Sequence, residues 1–172
     1  MHAFERTIQQ HPGYAPAYRD IEYLVMEQDA GMLPEAVEML ENLSERSQEG
    51  ALFQSLGNLY FHDRQEDQAI SSWHEAKERY RQALERGDQN GWNALGLAAV
   101  LYYLGEDPDQ MAEMLGAAEQ VGLREDIRRL LEELGWLLVQ IEDCGNASRI
   151  FSEIQDRYPD YIVPAELRER CP

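Results

Sequence analysis

A pair of residues, Leu-Gly, recurs at 56–57, 95–96 and 134–135, with 39 residues between successive copies. A fixed period of this size marks a repeat architecture, in which one small unit is stacked on copies of itself because it cannot bury its apolar face alone. A large side chain precedes each pair by three residues: Phe53, Trp92 and Leu131. A second pattern follows each one, read as Ala69, Trp73 and Ala76, then Met111, Leu115 and Ala118, then Ala147, Phe151 and Ile154, and it occurs earlier as Ala36, Leu40 and Leu43. Spacing of i, i+4, i+7 keeps side chains on one helical face, so each unit reads as two amphipathic helices in succession.

Breakers divide the chain in the same way. Leu33-Pro34 and Asp107-Pro108 put proline near a helix start, with Asp107 as the cap, and Gly105 and Gly145 are expected in turns. The spacing predicts helices over 15–28, 34–45, 50–63, 66–86, 91–104, 108–121, 125–144 and 146–157, with a short helix over 164–170. No strand pattern competes.

The small residues inside these helices carry the argument further. Gly57 is expected where the second helix of its hairpin crosses the first, with Ala69 and Ala76 facing inward and Phe53, Tyr60 and Trp73 filling the space beside the crossing. This combination resembles the tetratricopeptide repeat, whose motif is a bulky residue, Leu-Gly, an aromatic, then Ala, an aromatic, Ala and often Pro. Phe53, Leu56, Gly57, Tyr60, Ala69, Trp73 and Ala76 fit it throughout, and Leu131, Leu134, Gly135, Leu138, Ala147, Phe151 and Pro159 fit at the family's spacing. The third unit departs, with Met111 in place of the first alanine and a longer turn. The first is weaker, with Tyr18 and Ile21 ahead of Ala36 and Leu40, and Phe4 and Pro12 look like the tail of a preceding unit. The resemblance implies an all-α fold, a right-handed superhelical array of antiparallel helical hairpins (an α-solenoid), forming a single domain over 1–172. Its divisions are a partial unit at 1–13, repeats at 14–48, 49–88, 89–123 and 124–159, and a cap at 160–172.

Charge limits the partners. A formal net charge of -18 repels nucleic acid and anionic membrane surfaces at long range and favours basic or apolar partners. Lys77 is the only lysine, and an acidic, lysine-poor composition is equally what a salt-rich or GC-rich source would leave. The start of the chain lacks the apolar core of a signal peptide and the longest apolar run, 95–105, is too short to span a membrane, so a cytoplasmic location is expected. Cys144 and Cys171 lack CxxC spacing, so reduced thiols are expected there rather than a disulfide or a metal site.

No catalytic pattern is present. The chain has no phosphate-cradling glycine loop, no HExxH and no Gly-x-Ser-x-Gly elbow. His2, His11, His62 and His74 are scattered, and pairs such as Glu132-Glu133, or Glu41 near Glu45, read as a solvated face in so acidic a chain. The expectation is a protein that is not an enzyme and uses no cofactor and no metal. The sequons at Asn42 and Asn146 carry no weight without a secretory signal.

In a stacked array the first helix of each hairpin lines the concave side. The residues expected there are Arg19, Tyr23 and Met26, then Gln54, Asn58 and Phe61, then Asn93, Leu97 and Leu101, then Glu132, Trp136 and Val139. Leu97, Leu101 and Trp136 have a competing role, packing against the neighbouring hairpin or under the cap. Family members that grip a terminal carboxylate use cations in this groove, which Gln54, Asn93 and Glu132 do not supply. A scaffold or adaptor that binds a peptide or helix with apolar anchors and basic flanks suits the stripe better. Two alternatives are a cytoplasmic chaperone of a hydrophobic secreted client and self-association through the ends of the array.

Overall fold

The computed structural model describes residues 2–12, 14–88, 91–106, 108–140 and 142–171. Among them every regular element is helical. In chain order these are α1 (His2–Gln10), α2 (Ala15–Tyr23), α3 (Leu33–Ser44), α4 (Gly50–His62), α5 (Glu66–Glu85), α6 (Gly91–Tyr103), α7 (Pro108–Gln120), α8 (Arg124–Gln140), α9 (Cys144–Arg157) and α10 (Ala165–Arg170). Beyond α2 the chain continues as a wider π-helical turn, Leu24–Gln28, and a 3-10 turn, Ala30–Met32, so the long first helix expected over 15–28 keeps its extent but loosens at its end.

Helices pack in neighbouring pairs, α4 on α5, α6 on α7 and α8 on α9. One stop is used at the turns that join them. A residue with positive φ follows the helix at Arg64, Gly87, Gly105 and Glu142. The next amide then closes back on a carbonyl five residues earlier: Gln65 on Tyr60 at 2.8 Å, Asp88 on Ala83 at 3.1 Å, Glu106 on Leu101 at 2.9 Å and Asp143 on Leu138 at 2.9 Å. This bond satisfies a carbonyl that the helix end would otherwise leave without a partner. Gly105 therefore sits in a turn as expected. Gly145 does not: Asp143 caps α9, its carboxylate accepting from the Asn146 amide at 3.2 Å, and the helix has begun by Cys144. The turn residue is Glu142, and α8 ends at Gln140 rather than at 144. Asp107, expected as a cap, lies outside the described residues.

The chain forms two compact units, residues 1–121 and 122–172. In the first, Ile8, Tyr18, Ile21, Leu40, Leu52 and Leu59 make one apolar cluster, and Trp73, Tyr80, Leu97, Val100 and Leu101 are part of a second. In the second unit Ile127, Leu131, Leu134, Ala147, Phe151 and Ile154 are buried. The ladder alanines Ala36, Ala69, Ala76, Ala118 and Ala147 are all 0% exposed, which places that face inward in every hairpin.

Each repeated glycine faces an aromatic ring. A methyl group built on Gly57 would lie 2.3 Å from the Trp73 indole, and one on Gly135 would lie 2.7 Å from the Phe151 ring. Both partners sit sixteen residues on, in the second helix of the same hairpin. At Gly96 the ring comes from the preceding helix instead: Tyr80 would be 2.2 Å from the added carbon. Tyr80 also lies against Gly50, at 2.6 Å by the same measure, so its ring is held between α4 and α6.

The cysteines correct an expectation. Cys144 and Cys171 form a disulfide with Cα atoms 5.2 Å apart. Lack of CxxC spacing misled because the fold returns residue 171 to the start of α9, 27 residues upstream.

Candidate binding face

Within residues 1–121, α2 packs on α4 and α4 on α6, so the first helices of successive pairs adjoin. Their shared face carries a polar network that begins at Glu22. Ser55 Oγ donates to Glu22 Oε1, and Asn58 Nδ2 donates to Glu22 Oε2 at 2.7 Å. Asn58 Oδ1 in turn accepts from Trp73 Nε1 at 3.0 Å. The chain of bonds thus runs from α2 through α4 into α5. Beside it the Tyr80 hydroxyl donates to Gln54 Oε1 at 2.7 Å. Arg19, one turn before Glu22, lies with its guanidinium 4.9 Å from the centre of the Trp92 ring, a cation–π contact between α2 and α6.

Electrostatics follow from burial. Removal from water pushes the Glu22 carboxyl above its ordinary value, although the bonds from Asn58 and Ser55 and the charge of Arg19 pull the other way. Burial likewise pushes the Tyr80 phenol well up, with the Glu22 charge adding to it, so the group keeps the proton that it donates to Gln54.

The expected site residues divide into three groups. Tyr23 and Met26 are exposed, at 59% and 39%, and Arg19, Gln54, Asn58 and Phe61 are half-buried. Met26 lies one helical turn beyond Glu22 and is exposed, whereas Phe61, one turn beyond Asn58, packs on the core with its ring 5.6 Å from that of Trp73. Asn93 is half-buried and its amide donates to Asp88 at 2.8 Å, toward the α5–α6 turn.

Leu97 and Leu101 are corrections. They are 1% and 0% exposed and belong to the apolar core. The physical reason is that α6 is buried on all sides from Ala94 to Leu101, and a helix without a polar face gives no phase from which to read an outward side.

In the second unit, Glu132 accepts from Arg128 Nη1 at 2.6 Å and bonds with the Tyr161 phenol. Trp136 is half-buried and meets the Phe151 ring edge-on at 5.7 Å. Val139 is 3% exposed and is a third correction, since it is core rather than surface.

Sequence reasoning missed Glu22 and Ser55, and it assigned Trp73 and Trp92 to the repeat motif alone. One signal was available: Glu22 directly follows buried Ile21 in a helix, and a carboxylate at the margin of a buried stripe needs donors from the neighbouring helix. Among the described residues no group of three or more His, Cys, Asp or Glu side chains is placed to hold a metal ion, and no helix is long and apolar enough to cross a membrane.

A comparison with protein-family models finds no match, and a comparison with curated proteins finds none either.

Proposed function

We propose that the chain is a tetratricopeptide-like right-handed array of hairpins that acts as a scaffold, taking a peptide or helix with apolar anchors and basic flanks on its concave face. It works by binding, without catalysis. The observation that carries this reading is the exposed pair Tyr23 and Met26 at the end of α2, beside a network that fixes the helices on which it stands. Preorganised anchors lower the cost of ordering a partner. The net charge of -18 supports basic flanks, which would speed encounter and be screened by salt.

Asn58 takes a different role from the one its position first suggests. Both its oxygen and its nitrogen are engaged internally, so it positions the face rather than reading a ligand backbone. The disulfide withdraws the support that free thiols would lend to a cytoplasmic location.

The reading is tested with a displayed library of random peptides selected on the intact chain. Enriched peptides should combine apolar and basic residues, and Tyr23→Ala and Met26→Ala should each weaken them about tenfold or more with the melting curve retained. Selection of acidic peptides, or affinity indifferent to both variants, overturns it.

A further inference from the structure

Within residues 1–121, α1 packs on α2 and α3 packs on α4, and a groove of about 1110 Å³ opens between the two outer helices. Ile8 reaches it from α1, Met39 and Leu43 from α3, and Leu52 of α4 closes its base. Its apolar surface is small but continuous. Pro12 is exposed, Leu43 is half-buried and Met39 is 9% exposed, with Ile8, Tyr18 and Leu52 buried beneath them. Both ends are fixed by hydrogen bonds. The Tyr18 phenol donates to the Pro12 carbonyl at 2.8 Å, which sets the turn from α1 to α2, and Ser47 Oγ accepts from the Glu49 amide at 3.1 Å, which sets the loop into α4. A groove held open in this way asks little ordering of its own residues when a ligand enters.

Charge chooses the occupant. Five carboxylates line the groove, those of Glu5, Glu35, Glu38, Glu45 and Glu49, against the single guanidinium of Arg46. The whole chain has 33 acidic to 15 basic residues, so the groove is more acidic than composition alone supplies. Among the described residues none of Glu35, Glu38, Glu45 and Glu49 is in an ion pair, and no three acidic side chains converge to hold a metal ion. A cleft lined by one sign of charge focuses its field on an incoming cation. The carboxylates are also spread out. Glu35 stands in the first turn of α3 and Glu45 at its C-terminal cap, about 15 Å apart at the helical rise, a length that extended peptide covers in about four or five residues. One small cation cannot meet both ends of that row, whereas a peptide with cations at both ends can.

We infer that the groove between α1 and α3 is a second docking site, taking an extended segment of a partner protein in which two cationic side chains flank an apolar one. The cations meet the two ends of the α3 row, and the apolar side chain seats on Pro12, Met39 and Leu43. No residue lining the groove belongs to the Glu22–Asn58 network or to the pair Tyr23 and Met26, so this site is separate from the proposed concave face.

An NMR titration of the intact, isotope-labelled chain with the end-capped peptide Gly-Arg-Ala-Leu-Ala-Arg-Gly, up to about 1 mM, tests this. Amide shifts should gather at Met39, Leu43 and residues 45–49. Replacing the leucine of the peptide by glycine should weaken binding about fivefold. Glu35→Gln, Glu38→Gln and Glu45→Gln combined should weaken it about tenfold or more, while the same charge removed by Glu85→Gln, Glu113→Gln and Glu166→Gln should cost less than about threefold. Circular dichroism melts establish that both triple variants fold. Absence of shifts, or equal losses in the two triple variants, overturns the site, and undiminished binding of the glycine peptide overturns the apolar anchor. Shifts gathered at Tyr23 and Met26 instead would overturn the groove while supporting the concave face, and shifts that grow with protein concentration before any peptide is added would make a second copy of the chain the occupant. The peptide selection that tests the binding function turns on Tyr23 and Met26, so the two readings fail separately.

Discussion

Hairpins α4–α5 and α8–α9 are built on the same signal and put it to different use. In both, a glycine lets an aromatic ring sixteen residues on sit against the first helix. In α4–α5 the ring is an indole, and its N–H extends the contact to Asn58 and, through it, to Glu22 of α2. In α8–α9 the ring is Phe151, which has no donor and meets the Trp136 ring edge-on. The first hairpin is therefore tied to its neighbour by a polar chain, while in the second a disulfide joins the start of α9 to the chain beyond α10. One repeat motif sets the crossing, and the residue chosen for the ring decides whether the crossing also transmits order to the next unit.

The glycines offer the most severe way to break the comparison. Gly57→Leu should cost about 3 kcal/mol or more, because overpacking against Trp73 displaces the indole that holds Asn58. Gly135→Leu should cost about 2 kcal/mol, since Phe151 would be met at a longer distance and holds no network together. Urea unfolding followed by tryptophan fluorescence and circular dichroism measures both. Equal losses would mean that the indole hydrogen bond transmits nothing.

The disulfide comes next. Closing a loop across 27 residues restricts the unfolded chain by about 2–4 kcal/mol, and reduction should cost about that much. The loss should appear in residues 122–172 alone. Calorimetry of oxidised and reduced protein checks it, and an equal shift in both units would overturn the separation.

These two experiments also mark what the sequence makes legible. Hairpin boundaries, the inward ladder and the glycine crossings were readable because they repeat, and repetition fixes helical phase. The polar network was not, because Glu22 and Asn58 lie 36 residues apart and their meeting depends on the packing of α2 on α4. Leu97 and Leu101 are core for the complementary reason, since a helix buried on every side has no phase to read, and Val139, one turn on from half-buried Trp136, is buried without a signal in the sequence to mark it. The cysteine pair was hidden by the same long-range return of the chain.

A smaller and more specific loss is expected at the junction of the network. Asn58→Ala should cost about 1–2 kcal/mol, since it leaves the Trp73 N–H without its acceptor and Glu22 Oε2 without a donor in a site poor in water. Asn146→Ala in the other hairpin removes one exposed side-chain bond to Asp143, keeps the backbone one, and should cost about 0.5 kcal/mol. Thermal melts of the two variants make the contrast, and a larger loss at Asn146 would reverse it.

The smallest effect concerns protonation. Glu22 has its carboxyl raised above the ordinary 4.5 by burial, so the folded chain holds that proton more tightly than the unfolded chain. Its contribution to stability is then fully present below the ordinary value and is lost as pH rises through the raised one. Glu106 and Asp143 behave oppositely: Lys77 holds the first below 4.5, and Asn146 holds the second below 3.8. Their contributions are present above those values and vanish only as pH falls beneath them, so the windows lie on opposite sides of the ordinary carboxylate range. Unfolding free energies of the parent and of Glu22→Gln, measured in urea from about pH 4.5 to 8, isolate the first window. The parent should lose stability relative to the variant as pH rises and then level off. A difference that grows with pH instead would mean that Ser55, Asn58 and Arg19 stabilise the ion more than burial opposes it, and that the network is built around a charged carboxylate.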